Sequence, residues 1–157
     1  QRMRDKLGLI GVNEGDRALA EELLQALQKD RVDYTVFWRR LSVAVRESAQ
    51  SAHAFEPVRD LFMHRGVFDG WCARYLERIG TTNRQSAGDA MLSTNPKYIL
   101  RNHLGELAIR QAKQSNFAMV QDLLQVLHAP FEEHPTYEAW AGLAPEWASS
   151  IEISCSS

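Results

Sequence analysis

Apolar positions recur at helical spacing along most of the chain. Over residues 16–30, Leu19, Leu23 and Leu27 form one stripe with Ala20 and Leu24 beside it, which predicts an amphipathic helix. Asp16, following Gly15, is placed to cap its first turn, and Lys29 suits its last. Over residues 33–47, Tyr34, Phe37, Trp38, Leu41 and Val45 stand at i, i+3, i+4, i+7 and i+11, a broad aromatic face with Asp33 as N-cap. That face is expected to be helical core; a ligand groove is the alternative. A short helix is expected over 57–62, starting at Pro57. A longer one over 68–79 is closed by Gly80 as its C-cap. Inside it, Gly70-Trp71 is expected to mark a close helix crossing, with Gly admitting a neighbouring backbone and Trp filling the gap beside it.

Residues 80–88 are rich in turn formers and are expected to separate two halves. Asn95 then Pro96 reads as N-cap followed by first helical position, which predicts a helix over 95–113. Its buried stripe is Leu100, Leu104, Leu107 and Ala108, with Glu106 and Arg110 as an exposed i,i+4 pair. Asn116 is expected to cap the next helix, where Phe117, Val120, Leu124 and Leu127 align; Pro130 ends it by Ala129. Beyond lies PFEEHPTYEAW and then PEWASS, an irregular stretch that Trp140 and Trp147 are expected to pin onto the helices. Residues 151–154 alternate apolar and polar, as a short extended segment does. No repeat of solenoid period is found, although an all-helical layout keeps that architecture open. The fold class expected is all-α: an irregular multi-helix bundle with a Pro/Trp-rich C-terminal meander. It forms one helical domain over 1–150, with a subdivision near 80–94 left open, and a tail over 151–157.

Composition narrows the function classes. With 157 residues, 45% hydrophobic and 24% charged, and only 9 Gly and 5 Pro, the chain suits one globular domain rather than a collagenous or disordered one. Ala and Leu (18 and 17) outnumber Val and Ile (9 and 6), as helices require. A formal charge of -2 argues against nucleic acid or an acidic membrane as the main partner. After Lys113 there is no Lys or Arg, but six acids: Asp122, Glu132, Glu133, Glu138, Glu146 and Glu152. A solvated flank and a face for a basic groove both fit that end. Two cysteines do not make a disulfide framework, and no apolar run of membrane-spanning length or charged-then-apolar leader occurs. A reduced, cytoplasmic setting is therefore expected. Opening on Gln1 rather than Met is expected of a processed chain or a piece of a longer one.

Residues that could carry chemistry are few. There is no Gly-rich loop, no Walker-type Lys-Ser/Thr, no Asp-Phe-Gly and no His-Arg-Asp, so neither a nucleotide site nor a cofactor site is expected in this chain. His128 and His134 flank Glu132 and Glu133, but the spacing crosses two prolines and matches no zinc or di-iron pattern, so a surface loop is expected rather than a metal site. Cys72 lies within a helical stretch and is read as a small buried hydrophobe. Cys155, near the chain end, should be accessible, although its acidic surroundings disfavour thiolate. An incidental thiol and a redox thiol both remain open for it from the residues alone.

Four strings carry a resemblance. They are Asn95-Pro96-Lys97-Tyr98-Ile99-Leu100-Arg101-Asn102, Pro130-Phe131-Glu132-Glu133, Pro145-Glu146-Trp147-Ala148 and the final Cys155-Ser156-Ser157. With Lys6-Leu7-Gly8-Leu9 and Asp33-Tyr34-Thr35, they resemble the C-terminal region of the selenoprotein O family over essentially the whole chain. Membership implies a parent protein adenylyltransferase with a kinase-like (pseudokinase) fold. It would move AMP from ATP, with Mg²⁺ or Mn²⁺, onto Ser, Thr or Tyr of target proteins. It also implies that nucleotide, metal and catalytic residues lie in an N-terminal core, so no catalytic, cofactor or metal residue is assigned here. Cys155 falls where the family carries selenocysteine or, in most bacterial members, cysteine. The resemblance makes it the candidate redox thiol, pairing with a core cysteine or glutathione, in a bacterial cytoplasmic protein. The partners implied are the catalytic core and the parent's protein substrates, with no nucleic acid and no membrane. A stand-alone helical interaction module is the alternative; a small metalloenzyme using His128 and His134 is a third reading.

Overall fold

The computed structural model describes residues 2–81 and 83–150, the side chains of 149 and 150 excepted. Every regular element among them is helical. The chain divides into two compact units, one up to Pro96 and one from Lys97 onward.

The first unit contains α1 (Arg2–Lys6), α2 (Asp16–Lys29), α3 (Tyr34–Glu47), α4 (Glu56–Arg59), α5 (Arg65–Ile79) and α6 (Arg84–Thr94). Helix α2 buries Leu19, Leu23 and Leu27, as its stripe predicts. The entry to α3 is fixed by the Asp33 carboxylate, which accepts the Val36 N–H at 2.9 Å. Phe37, Trp38, Leu41 and Val45 are buried, and Tyr34 at the edge of the same face is half exposed. From that face a ladder of rings crosses the unit: Phe37 meets Phe62 edge-on, Phe62 stacks on Phe68 at 4.9 Å, and Trp71 stacks on Tyr75 at 4.9 Å. The polar ends of the last two rings are satisfied across the core. Trp71 Nε1 donates to Leu19 O at 2.9 Å and Tyr75 Oη to Leu7 O at 2.8 Å, tying α5 to α2 and to the end of α1. Gly80 closes α5 with φ +72, a conformation L side chains avoid.

The close crossing is at Gly88, not Gly70. A Cβ at Gly88 would meet the backbone N and Cα of Arg46 at 2.5 and 2.6 Å, so α6 lies directly against α3 there. Gly70 has open space around it and is exposed, while Trp71 beside it is buried by ring packing and its bond to Leu19. Half of the expected turn-rich stretch is therefore α6. Its apolar content is low because close approach, rather than bulk, buries it.

The second unit contains α7 (Asn102–Ala112), α8 (Ala118–His128) and two 3-10 turns, Pro135–Ala141 and Glu146–Ser150. The helix expected over 95–113 begins seven residues later. Asn95 is buried at the end of α6, and the Lys97 and Tyr98 N–H groups both donate to Pro130 O, which holds that stretch out of a helix. Leu104 and Ala108 are buried and Leu107 half-buried, but Leu100, ahead of the helix, is exposed. In α8 the buried side chains are Met119, Leu123 and Val126; Phe117 and Leu124 of the expected stripe are exposed. Asn116 accepts the Ala118 N–H at 3.2 Å, so it turns the chain into α8 from one position before the N-cap. Trp140 packs on the Leu104–Leu123 cluster and stacks on Tyr137 at 4.5 Å, and Trp147 meets His103 edge-on at 5.9 Å. The extended segment expected over 151–154 and Cys155 lie outside the described residues.

Candidate functional site

The loop between α1 and α2 presents two exposed apolar side chains, Ile10 and Val12. Gly8 (φ +64) and Gly11 (φ +72) bend it, and two arginines then hold its backbone. Arg4 Nη1 donates to Gly11 O at 3.2 Å, and Arg78 Nη2 to Ile10 O at 3.2 Å. The same Arg78 grips Asp16 with two bonds, 2.6 and 3.1 Å, and Asp16 accepts the Asn13 N–H at 3.0 Å. Asp16 therefore does not cap α2; it anchors the loop that leads into it. A backbone so fixed still leaves Ile10 80% and Val12 83% exposed. Beside Val12 a groove of about 460 Å³ is lined by Met3, Leu7, Ala20 and Leu24, with Arg17 and Glu21 at its edge. Such a surface, ordered in advance and mainly apolar, can seat a protein segment at little conformational cost.

The Arg78 guanidinium beside Asp16 holds its carboxyl below the usual carboxylate range, against the opposing effect of burial. Asp30 is likewise lowered, first by the His64 N–H it accepts and then by the His64 ring. A carboxyl whose folded value is depressed stabilises above its unfolded value near 4 and loses that contribution as pH falls through the folded value. We predict that the urea midpoint falls steeply below about pH 5, and that Asp16→Asn flattens part of that slope. An unchanged slope in the variant would remove Asp16 from the acid response.

Residues of the strings that carry the resemblance meet in two polar clusters, one inside each unit. In the first unit, Asn95 is fully buried and makes three side-chain bonds. Oδ1 accepts from Lys6 Nζ at 2.9 Å, and Nδ2 donates to Lys6 O at 3.1 Å and to Ser42 Oγ at 3.0 Å. Ser42 Oγ–H in turn donates to Trp38 O at 2.7 Å. The Lys6 ammonium also lies over the rings of Trp38 (5.3 Å) and Tyr34 (5.8 Å), and burial lowers its pKa. In the second unit, the bonds from Lys97 and Tyr98 to Pro130 O bring the start of the second string onto the first. Lys97 Nζ, almost buried, pairs with Glu133 and with Glu138, the latter at 2.6 Å. Burial acts to lower the Lys97 pKa, and the two carboxylates outweigh it, so the net shift is upward. Tyr98 Oη donates to His134 O and accepts the His134 N–H, at 3.2 and 3.3 Å. Among the acids of the second unit, Glu133 and Glu138 are thus engaged within it.

The histidines are distributed rather than gathered. His53 Nδ1 meets Glu56 at 2.6 Å, His64 Nδ1 meets Asp30 at 2.6 Å, and His103 is buried against Trp147. His128 Nδ1 lies 2.9 Å from Leu124 O and His134 Nε2 2.9 Å from Ala129 O, so each of this pair is engaged by backbone. Among the described residues no three His, Cys, Asp or Glu stand together as metal ligands would. Cys72 is buried, and desolvation pushes its thiol up to about 11. No helix among the described residues is long and apolar enough to cross a membrane. The Asn95 cluster and the arginine-pinned loop were not read from the sequence. Asn-Pro imitates a helix start, and the Gly8/Gly11 spacing signals only that the chain turns.

Comparison with known proteins supports the family resemblance. A sequence model of the family described as "Protein adenylyltransferase SelO" matches residues 1–128. A "Protein nucleotidyltransferase YdiU" of Variovorax paradoxus is 53% identical over 156 residues, covering 99% of this chain and 31% of the relative. The protein of the same name from Albidiferax ferrireducens is 50% identical, covering 97% and 30%, and that of Burkholderia multivorans 48%, covering 99% and 30%. The chain thus spans under a third of the length of these relatives, nearly all of itself being matched. With the family match extending from the first residue to the end of α8, this chain belongs to the SelO family.

Proposed function

We propose that this chain is the helical C-terminal part of a protein adenylyltransferase, buttressing a kinase-like catalytic core that lies on the rest of the polypeptide. The parent would transfer AMP from ATP to Ser, Thr or Tyr hydroxyls of target proteins in the bacterial cytoplasm. ATP and Mg²⁺ or Mn²⁺ would be held by the core. The observation that carries this reading is the fixed loop with Ile10 and Val12 turned outward, in a chain that spans about 30% of its relatives. Two β-branched side chains held in water by an arginine-pinned backbone suit a surface that packs onto more protein. In the parent, alanine substitution of exposed polar residues of this chain should leave KM for ATP within about twofold. A well-folded variant that raises KM roughly tenfold would put nucleotide ligands here and overturn the reading.

Cys155 is proposed as a redox thiol of the same protein. Its thiolate would attack oxidised glutathione, forming a mixed disulfide and expelling one glutathione thiolate; a core cysteine thiolate would then attack the Cys155 sulfur, forming a Cys155–core disulfide and releasing the second glutathione thiolate. The parent carrying Cys155→Ala should lose any dependence of AMP transfer on oxidised glutathione. Retained dependence would leave Cys155 an ordinary residue.

A further inference from the structure

Helix α8 carries two apolar stripes: its own unit buries one, and covers the other only in part, through Val120 packed against the Leu104–Leu123 cluster. Met119, Leu123 and Val126 are buried. Phe117, Val120, Leu124 and Leu127 recur at i, i+3, i+7 and i+10, and at about 100° per residue they share an arc of roughly 80° on another side of the helix. Phe117 is 56% and Leu124 54% exposed, with Val120 and Leu127 half-buried. No charged side chain falls on this arc; Gln121 and His128 border it, and Asp122, the one acid of the helix, is on the far side. This is the anchor spacing of a helix laid in an apolar groove.

We propose that this stripe seats in an uncharged, apolar groove on the part of the parent polypeptide outside these 157 residues. The inference rests on the proposed reading of the chain as part of a longer enzyme, and it names the contact. Relatives matched over 99% of this chain are about three times its length, so most of the parent is available to supply that groove. The family match runs to residue 128, the last of α8, so the whole helix belongs to the shared architecture rather than to an appendage. A second copy is the poorer occupant. An 11-residue helix is only about 16 Å long, and one stripe of it offers a few hundred Å², short of the roughly 800 Å² per partner of a stable interface. Docking within one polypeptide needs no such area, because covalent linkage supplies a high effective concentration.

The test is photo-crosslinking in the full-length parent, with p-benzoylphenylalanine in place of Leu124 and, as control, of the exposed Gln125. The result expected is a crosslink from position 124 to a peptide outside this chain within the same polypeptide, at least about fivefold stronger than from position 125. Crosslinks only within residues 1–157, only between two copies, only to other proteins, or none, would overturn the proposal. As both positions are exposed, folding is checked by the parent's unchanged thermal midpoint, and Phe117 serves as a second position should Leu124 fail that check. AMP transfer from labelled ATP is scored on the same samples. Transfer without the crosslink sinks the groove alone, and the crosslink without transfer sinks the adenylyltransferase reading alone.

Discussion

Gly88→Ala should be among the most damaging single-methyl additions in the first unit, lowering stability by about 2–4 kcal/mol. The new Cβ would stand 2.4–2.6 Å from the Cβ, N and Cα of Arg46, atoms that cannot rotate away because they belong to, or start from, the backbone of α3. Relief requires α6 to move off α3, and that movement would separate Met91 from the core it is buried in. The gain in helix propensity from replacing Gly, up to about 1 kcal/mol, opposes the loss but is smaller. Gly70→Ala is the matched control. It has the same chemistry in a helix with nothing within 4 Å, and should be neutral or stabilising by up to about 1 kcal/mol. Urea unfolding of the three proteins checks this, and equal effects at the two glycines would mean that the α3–α6 contact is not as close as described.

The second large effect is at Asn95. Asn95→Ala removes the acceptor of the Lys6 ammonium and two donors at once, leaving a partly buried charge without that bond and Ser42 Oγ without its incoming N–H. The expected cost is about 2–4 kcal/mol, against about 1 kcal/mol for Ser42→Ala. Lys6→Met deletes the ammonium that lies over Trp38 and Tyr34 and bonds Asn95, so the double variant should lose about 1–2 kcal/mol less than the sum of the singles. Strict additivity would show that Lys6 and Asn95 do not share one network.

These two residues mark where a sequence reading of this chain runs out. Helices α2 and α3 were legible because long apolar stripes and the Asp33 cap agree with one another. Gly80 was legible because few other residues close a helix at φ +72. Helix α6 was not, since its burial comes from Gly88 touching a backbone, which no apolar periodicity records. The Asn95-Pro96 pair has the form of a helix start, but tertiary bonds to Lys6 and Ser42 and the turn of Lys97 and Tyr98 toward Pro130 prevail over that local preference. In α8 large apolar side chains fill about half of the circumference, and the stripe read from spacing (Phe117, Val120, Leu124, Leu127) lies beside the one the unit buries, Met119, Leu123 and Val126. The family strings were legible as strings; that their residues meet in polar clusters, around buried Asn95 and around Lys97, was visible only in three dimensions. The candidate docking loop illustrates the same limit. Exposure of Ile10 and Val12 depends on Arg4 and Arg78, and Arg78 is far away in sequence.

The proposed function requires that the parent's nucleotide site lie wholly outside this chain. The direct measurement is photolabelling of the full-length parent with 8-azido-ATP and Mg²⁺, followed by peptide mapping. The account predicts ATP-protectable label confined to peptides outside this chain. Protectable label on any peptide within residues 1–157 would contradict it.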